Sequence, residues 1–525
     1  MYSTALARNN TGYSLEVEGE KFNYHSVGAT LKYNKRQICL IVIDGQHRFE
    51  ALRRLVKQNA ALVGAMELPV CIVFTPEAKT ASKSHDELIV RDLREMFVTI
   101  NTTAKDVSGH FVDLLKDKSL ASIAVRSLAD HWKATAQEPW CCMLQQLEWN
   151  ERQTNKANTV QREYSISTVS IITESLRQYA FGNSSDGLQY SLLNLSEVET
   201  KLEDSDEAIK AYAIEEDKFD PAQADILKEQ IRKRITPALD ALFTLPRPYR
   251  EIRDTFLKAV GWLDLRVNGG SAEARVYRND ILGQFRQCTK RDEPNICAFQ
   301  NQFSEKIKKQ EDDKIYFLNV FQQALIGVWA DVSACLQREL DVPPIATAQI
   351  IVEAFEQLVF NSRSRFFERD MPYAGSILYS GRRLNVNQGI KLVWKNLLRS
   401  TLLQKNTETA FSKALKKHCP ELTDEKLSVI TEKIRQDSNN ALSAYCKALH
   451  KKISDVIGKE WRQRPYDRGL REKLDKLSQD DPDEYQKELR KLADAEYHEA
   501  IEKLSNKLDI DNVQLLKVSQ SIVSD

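Results

Sequence analysis

Glycine and proline are scarce, at 18 and 14 of 525 residues, below their usual shares of about 7% and about 5%. That scarcity argues against a turn-rich β protein and for long helices. Long hydrophobic runs are missing too. The clearest, Ile38 to Ile43, falls far short of the ~18 apolar residues that cross a bilayer, so no membrane partner is expected. No basic start leads into an apolar core at the N-terminus, which speaks against a signal peptide and for a cytoplasmic protein. Net charge is absent, with 75 Lys and Arg against 75 Asp and Glu. Contact with a polyanion therefore has to come from local patches. Cysteine occurs nine times but never as C-x-x-C, so reduced, mostly buried thiols are expected and a structural zinc site is not.

What is present is enough to build large domains. Hydrophobic residues make up 42% of the chain and charged ones 29%, and at roughly 100–200 residues per domain the length suggests two to four. The first 75 residues read as β-rich. Tyr13–Val17 and Ala29–Tyr33 alternate as strands do, with turn signals at Gly19 and at Asn34 and Lys35. Ile38 to Ile43 is a continuous, buried-type strand that stops at Asp44-Gly45, and a helix follows with Phe49, Leu52, Leu55 and Val56 on one face. Pro69–Phe74 is the next strand, followed by a helix through Leu88, Phe97 and Ile100. Beyond about residue 165 helical periodicity dominates. Glu197–Glu229 carries 12 acidic and 4 basic residues, a net of −8, and reads as an exposed acidic helix pair broken near Pro221. From about 425 the chain is charged, Gly-poor and helical, with Tyr485–Leu508 as a long surface helix.

One segment carries chemistry: Val42-Ile43-Asp44-Gly45-Gln46-His47-Arg48-Phe49. A strand, a sharp turn and a helix start place unpaired backbone N–H groups and the positive end of the helix dipole where an anion can sit. Gly45 permits close approach of backbone to a ligand, and Arg48 supplies a forked cation for phosphate oxygens. Asp44 would repel a bare phosphate; it is suited to cap the helix, to accept from a sugar hydroxyl or to hold a metal. His47 is suited to acid–base work near neutral pH or to a hydrogen bond with the adjacent loop. Asn101, after an apolar helix, reads either as a C-cap or as a ligand-facing side chain.

The run Asp44-Gly45-Gln46-His47-Arg48 resembles the signature of the DGQHR-domain family, which includes the DndB proteins of DNA phosphorothioation systems and the DpdB proteins of deazaguanine DNA modification. That family in turn resembles the ParB/sulfiredoxin-like fold. Gly45-Gln46-His47-Arg48 then stands at the first, phosphate-binding box. Met96-Phe97-Val98-Thr99-Ile100-Asn101 and the following Thr102 to Lys105 stand at the second, matching the Phe-x-x-Ile-Asn pattern of DGQHR proteins. Ile100 occupies the place of a glutamate that helps bind metal in ParB proteins, and Ala104 that of an arginine, with Lys105 one position later; no metal is assigned. Family members usually carry more sequence before the motif than the 43 residues present here, so a truncated start is expected. The resemblance implies a nucleotide or phosphate site made by Asp44, Gly45, Gln46, His47, Arg48, Asn101 and Lys105, with a nucleoside triphosphate, ATP or CTP, as its ligand.

A second feature is basic. Arg363–Arg399 holds 8 basic and 2 acidic residues, a net of +6, interleaved with Phe366, Phe367, Tyr373, Tyr379 and Trp394. Lys391, Lys395 and Arg399 recur at i, i+4 and i+8, near one helix face. With Arg382 and Arg383 they are the expected DNA contacts, and the aromatics are candidates for stacking on bases. Arg275, Arg278, Arg286, Lys290 and Arg291 form a weaker basic cluster. The expected architecture is an α/β domain over 1–160 resembling the ParB/sulfiredoxin fold, then a mostly α-helical body, divided into a helical domain over 161–424 and a charged helical region over 425–525. The expected function, implied by the resemblance, is a DndB-like DNA-binding regulator or accessory factor of a bacterial DNA-modification (phosphorothioation-type) or phage-defence system. Its expected partners are DNA and other DNA-modification proteins. The alternatives are a nucleotide triphosphatase or ParB-like nuclease, and a non-enzymatic helical interaction scaffold.

Overall fold

The computed structural model describes residues 5–9, 12–17, 20–24, 46–58, 110–149, 158–182, 187–204, 208–289, 292–307, 309, 311–380, 383–385, 387, 389–464 and 466–510. Two units divide the chain. The first comprises Met1–Ser108 with Leu115–Asp117, and the second Gly109–Leu114 with Lys118–Asp525.

In the first unit, strands β1 (Ala5–Asn9), β2 (Gly12–Val17) and β3 (Glu20–Tyr24) form an antiparallel meander in that order. The register aligns Leu6, Leu15 and Phe22 across the sheet. Helix α1 (Gln46–Gln58) begins directly after Asp44-Gly45, as the sequence pattern anticipates. The expected strands Ala29–Tyr33, Ile38–Ile43 and Pro69–Phe74, and the helix through Leu88 and Ile100, lie outside the described residues.

The second unit is helical. Its principal helices are α2 (Leu120–Ala134), α3 (Val169–Leu176), α4 (Thr236–Thr244), α5 (Arg247–Asn268), α6 (Pro294–Glu305), α7 (Asn319–Leu340), α8 (Pro344–Phe355), α9 (Ile390–Ser400), α10 (Lys405–His418), α11 (Asp424–Glu460), α12 (Arg468–Asp480) and α13 (Pro482–Leu508). Their starts are written in the sequence. Ser119, Thr168, Thr423, Asp467 and Asp481 each accept a backbone N–H three residues on, and Pro248, Pro294, Pro344 and Pro482 stand in first turns, where no N–H is missed. Among its described residues, strand is confined to two-residue pairs, Leu147–Glu148 with Ser167–Thr168 and Tyr379–Ser380 with Arg383–Leu384. Three π-helical turns, Arg177–Phe181, Ile231–Ile235 and Tyr277–Leu282, interrupt the regular helices.

A single apolar core runs from Leu120 to Leu508. Its largest fully buried side chains include Trp329, Trp394, Tyr249, Tyr277, Tyr373 and Tyr445, each worth on the order of 1.5–3 kcal/mol or more of transfer free energy. The two units meet in sequence near residues 109–118, and within the second one residues 425–510 share a body with 161–424, because α11 packs on α9 and α7, and α13 on α11. The buried face of α13 repeats Leu489, Ala493, Tyr497, Ala500, Ile501, Leu504 and Leu508 at helical spacing.

The acidic segment is corrected. Glu197–Glu229 is not an exposed helix pair but a string of short turns, 3-10 at Leu195–Glu197, Ala211–Ala213 and Pro221–Gln223 and α-helical at Glu199–Leu202 and Ala224–Gln230. Leu202, Ala211, Ile214, Phe219 and Leu227 anchor it in the core. Its buried Glu216 is a junction: it accepts from the Ser119 hydroxyl, from Ala121 N–H at 2.9 Å and from Arg177 Nε at 3.0 Å.

Candidate functional site

The motif occupies the start of α1. Gln46, His47 and Arg48 are its first three residues, and the first turn of α1 carries no carboxylate, so no fixed anion within that turn competes for the positive end of the dipole. Glu50, further along, faces Arg53 at 3.7 Å and Arg54 at 3.2 Å. Asp44, Gly45, Asn101 and Lys105 lie outside the described residues.

The basic stripe is not the exposed surface expected of it. Lys391, Lys395 and Arg399 do share one face of α9, but that face turns inward. Their side chains are 14%, 17% and 6% exposed, while Leu392 on the other side is 58% exposed. Each cation meets a carboxylate on a different helix. Lys391 Nζ lies 4.0 Å from Glu174 at α3, Lys395 Nζ 2.7 Å from Asp331 at α7, and Arg399 Nη2 3.3 Å from Asp437 at α11. Asn158 and Gln323 also donate to Glu174, at 2.8 and 3.3 Å. Lys395 further sits 5.0 Å from the centre of the Tyr179 ring, and burial, with the Asp331 charge behind it, pushes that phenol up to about 12. Burial pulls the Arg399 guanidinium below its usual value against the opposing pull of Asp331 and Asp437.

A close approach makes this packing work. Gly327 of α7 lies bare beneath the pair, and a Cβ there would come within 3.1 Å of both Lys395 Cδ and Tyr179 Cγ.

These three cations are therefore engaged by carboxylates of other helices. The aromatics of the stretch are core as well. Phe366, Phe367, Tyr373 and Trp394 are buried, with Trp394 5.4 Å from Phe367 and 6.4 Å from Phe321, and Tyr379 donates its hydroxyl to Phe367 O at 2.8 Å. None of the four buried rings is open to a base. Arg383 is exposed at the edge of its two-residue strand, as are Arg363 and Arg369 nearby; Arg382 lies outside the described residues. In the weaker cluster, Arg278 pairs with Asp264 at 3.1 Å over the Trp140 ring, and Arg286 holds Asp292 through both terminal nitrogens at 2.9 and 3.0 Å. Arg275 is exposed, and Lys290 and Arg291 lie outside the described residues.

Sequence reading passes over a cleft of about 570 Å³ between the C-terminal ends of α2 and α4 and the first turns of α5. One wall presents Arg247, Arg250 and Arg253, and the other His131, Trp132 and Asp240. The signal was the spacing Arg247-Pro-Tyr-Arg250-Glu-Ile-Arg253, which puts three guanidinium groups along one helix flank. Arg247 is fully engaged. It binds Asp313 at 2.7 and 3.2 Å, Glu251 at 2.8 Å and Phe360 O at 2.7 Å. Burial works against its charge, but the hydrogen bonds to Asp313 and Glu251 outweigh it and hold the group above its usual value. Arg250 lies 3.3 Å from a Glu356 oxygen that also accepts the Arg247 N–H. Arg253 donates to two carbonyls, Cys141 O and Cys142 O, and burial lowers its guanidinium pKa. Asp240 accepts from the Trp132 indole at 2.7 Å, and with Glu251 and Asp254 it sets three carboxylates in the lining against the three guanidinium groups.

Among the described residues no cluster of His, Cys, Asp or Glu is arranged to hold a metal ion, and no helix is long and apolar enough to cross a membrane. Compared with protein-family models, curated proteins and solved structures, the chain matches none.

Proposed function

We propose that the chain is a DGQHR-type, DndB-like regulator or accessory factor of a bacterial DNA-modification or phage-defence system, acting in the cytoplasm on DNA beside other modification proteins. Its N-terminal unit is read as a ParB/sulfiredoxin-like α/β domain that takes a nucleoside triphosphate, ATP or CTP. One observation carries this reading: the Asp44-to-Arg48 signature coincides with the start of α1, whose first turn is free of carboxylates. A helix start of this kind, with Gln46, His47 and Arg48 in the first turn, fits a phosphate group. Asp44, Gly45, Asn101 and Lys105 complete the proposed site by resemblance. The nucleotide would supply a triphosphate anchor there, and this chain's part is to bind and orient it.

DNA contact is assigned to the exposed arginines Arg363, Arg369 and Arg383 rather than to α9, since the α9 cations already have carboxylate partners. That internal use of charge also favours a second reading, a helical interaction scaffold. Calorimetric titration of the full chain with ATP and CTP tests the first. A charge-assisted contact is worth roughly 1.5–3 kcal/mol, so Arg48→Ala should weaken binding about tenfold or more while the helical circular dichroism stays intact. Absence of binding by the parent, with or without a divalent ion, would leave the scaffold reading.

A further inference from the structure

Arg365 differs from the other cations on the surface proposed above to meet DNA. Between Arg363 and Arg383 the described residues carry four arginines, at 363, 365, 369 and 383, and two carboxylates, Glu368 and Asp370. Both carboxylates meet the same guanidinium. Arg365 Nη2 pairs with Glu368, and the same nitrogen lies 3.0 Å from Asp370. Arg363, Arg369 and Arg383 are exposed, and none of them is paired with a carboxylate among the described residues.

The backbone that carries these arginines is pinned by other groups. The Asn361 side chain accepts the Arg363 N–H at 3.0 Å, and the Ser364 hydroxyl donates to Leu358 O at 2.7 Å and accepts the Phe366 N–H at 3.3 Å. Phe366 and Phe367 are buried, and the Tyr373 hydroxyl donates to Phe366 O at 2.7 Å. Tyr379 ties the short strand pair that holds Arg383 to this loop through Phe367 O. Arg365 itself stands at φ 52, the left-handed region that an arginine rarely occupies. None of these anchors uses its side chain, which is 54% exposed. Ion pairs so open to water add little to folding. What they change is the charge a polyanion meets.

On the reading of this chain as a DNA-binding protein, we propose that Arg365 is a positioning residue of the DNA surface. It neutralises Glu368 and Asp370, so that Arg363, Arg369 and Arg383 can contact the phosphates of a DNA duplex. Arg365 thus acts on DNA through its neighbours and not by touching it. Four arginines against two carboxylates leave the described patch at +2, and loss of Arg365 halves that. The loss also bares both carboxylates on the loop that carries Arg363 and Arg369, where their field opposes an approaching phosphate over a Debye length of about 10 Å at 0.1 M salt.

The experiment follows binding of the full chain to a short fluorescein-labelled DNA duplex by anisotropy at several salt concentrations. Arg365→Gln should weaken binding about threefold or more at low salt, an effect that fades as salt screens the bared carboxylates. Adding Glu368→Gln and Asp370→Asn to that variant should restore the parent's affinity or exceed it, which a merely structural role for the ion pairs would not allow. Replacing Arg363, Arg369 and Arg383 together by Gln should flatten the log–log salt slope by up to about 2.7, at 0.9 per phosphate contact. Circular dichroism checks that each variant folds. If Arg365→Gln does not, the two carboxylate changes with Arg365 kept decide the matter: they should tighten binding, because a fourth cation is set free. Unchanged affinity in either case, or a loss in Arg365→Gln that removal of the carboxylates does not restore, would overturn the proposal. An unchanged slope in the triple arginine variant would place the DNA elsewhere on the chain and overturn it too, with the DNA-binding reading left standing. A parent that binds no duplex would sink both.

Discussion

Helix α9 carries three charged residues and the C-terminal helix α12 seven, and the two use them in opposite ways. In α12, Arg468 pairs with Glu472 at 2.7 Å while its side chain stays 92% exposed. In α9, three cations are drawn inward onto three other helices, and a leucine is left outside. The two situations differ in what becomes of a charge when its partner is removed. At the surface, water takes the partner's place on both sides; in the α9 seam it reaches the carboxylates, which are 34–51% exposed, far more readily than the enclosed cations. A run of lysine and arginine in a sequence therefore says little about polyanion binding until its partners are known.

Breaking the seam should give the largest effect. Replacing Lys391, Lys395 and Arg399 together by Gln should cost about 2–3 kcal/mol, since the cations are largely enclosed while their carboxylate partners keep contact with water, read as a shift in the urea midpoint. DNA affinity and its salt slope should be left alone wherever the chain still folds. A stability near the parent's would mean that the cations are solvated after all. Next comes Gly327→Ala. In an exposed helix this change gains about 1 kcal/mol, but here the added methyl meets the Tyr179 ring and the Lys395 stem. A net loss of about 1–2 kcal/mol is expected from overpacking, and a gain would show that the seam is loose.

A smaller effect is expected on the C-terminal side, at Glu488. Hydrogen bonds from Lys473 at 2.8 Å and Lys491 at 2.6 Å hold its carboxyl down to about 2. The contribution of such a depressed carboxylate is whole above the ordinary glutamate range near 4.3 and is lost as pH falls from there through about 2. Thermal melts of Glu488→Gln should accordingly fall less steeply than the parent's over that acid window, and parallel curves would refute the assignment. The smallest change should follow Arg468→Gln, which ought to stay within about 0.5 kcal/mol at moderate salt.

The helical body could be read directly because it depends on local signals: capping residues such as Ser119 and Thr423, few glycines, and apolar spacing as in α13. Strand β2 and the start of α1 were legible for the same reason, through alternation and through Asp44-Gly45. The inward turn of α9 was not, since Glu174, Asp331 and Asp437 come from distant parts of the chain. Nor was the role of Glu216, one acid among twelve in its segment, whose donors Ser119, Ala121 and Arg177 all come from other elements. The arginine spacing of α5 was visible, but its concave setting required the ends of α2 and α4.

The seam also bears on how this unit breathes. Helix α9 grips α3, α7 and α11 through three separate charges, so any one of them that lifts away leaves a largely enclosed cation without its partner. Opening one helix at a time is thus the expensive route, and local fluctuations in this region become concerted ones. The four helices should open and close as one cooperative block.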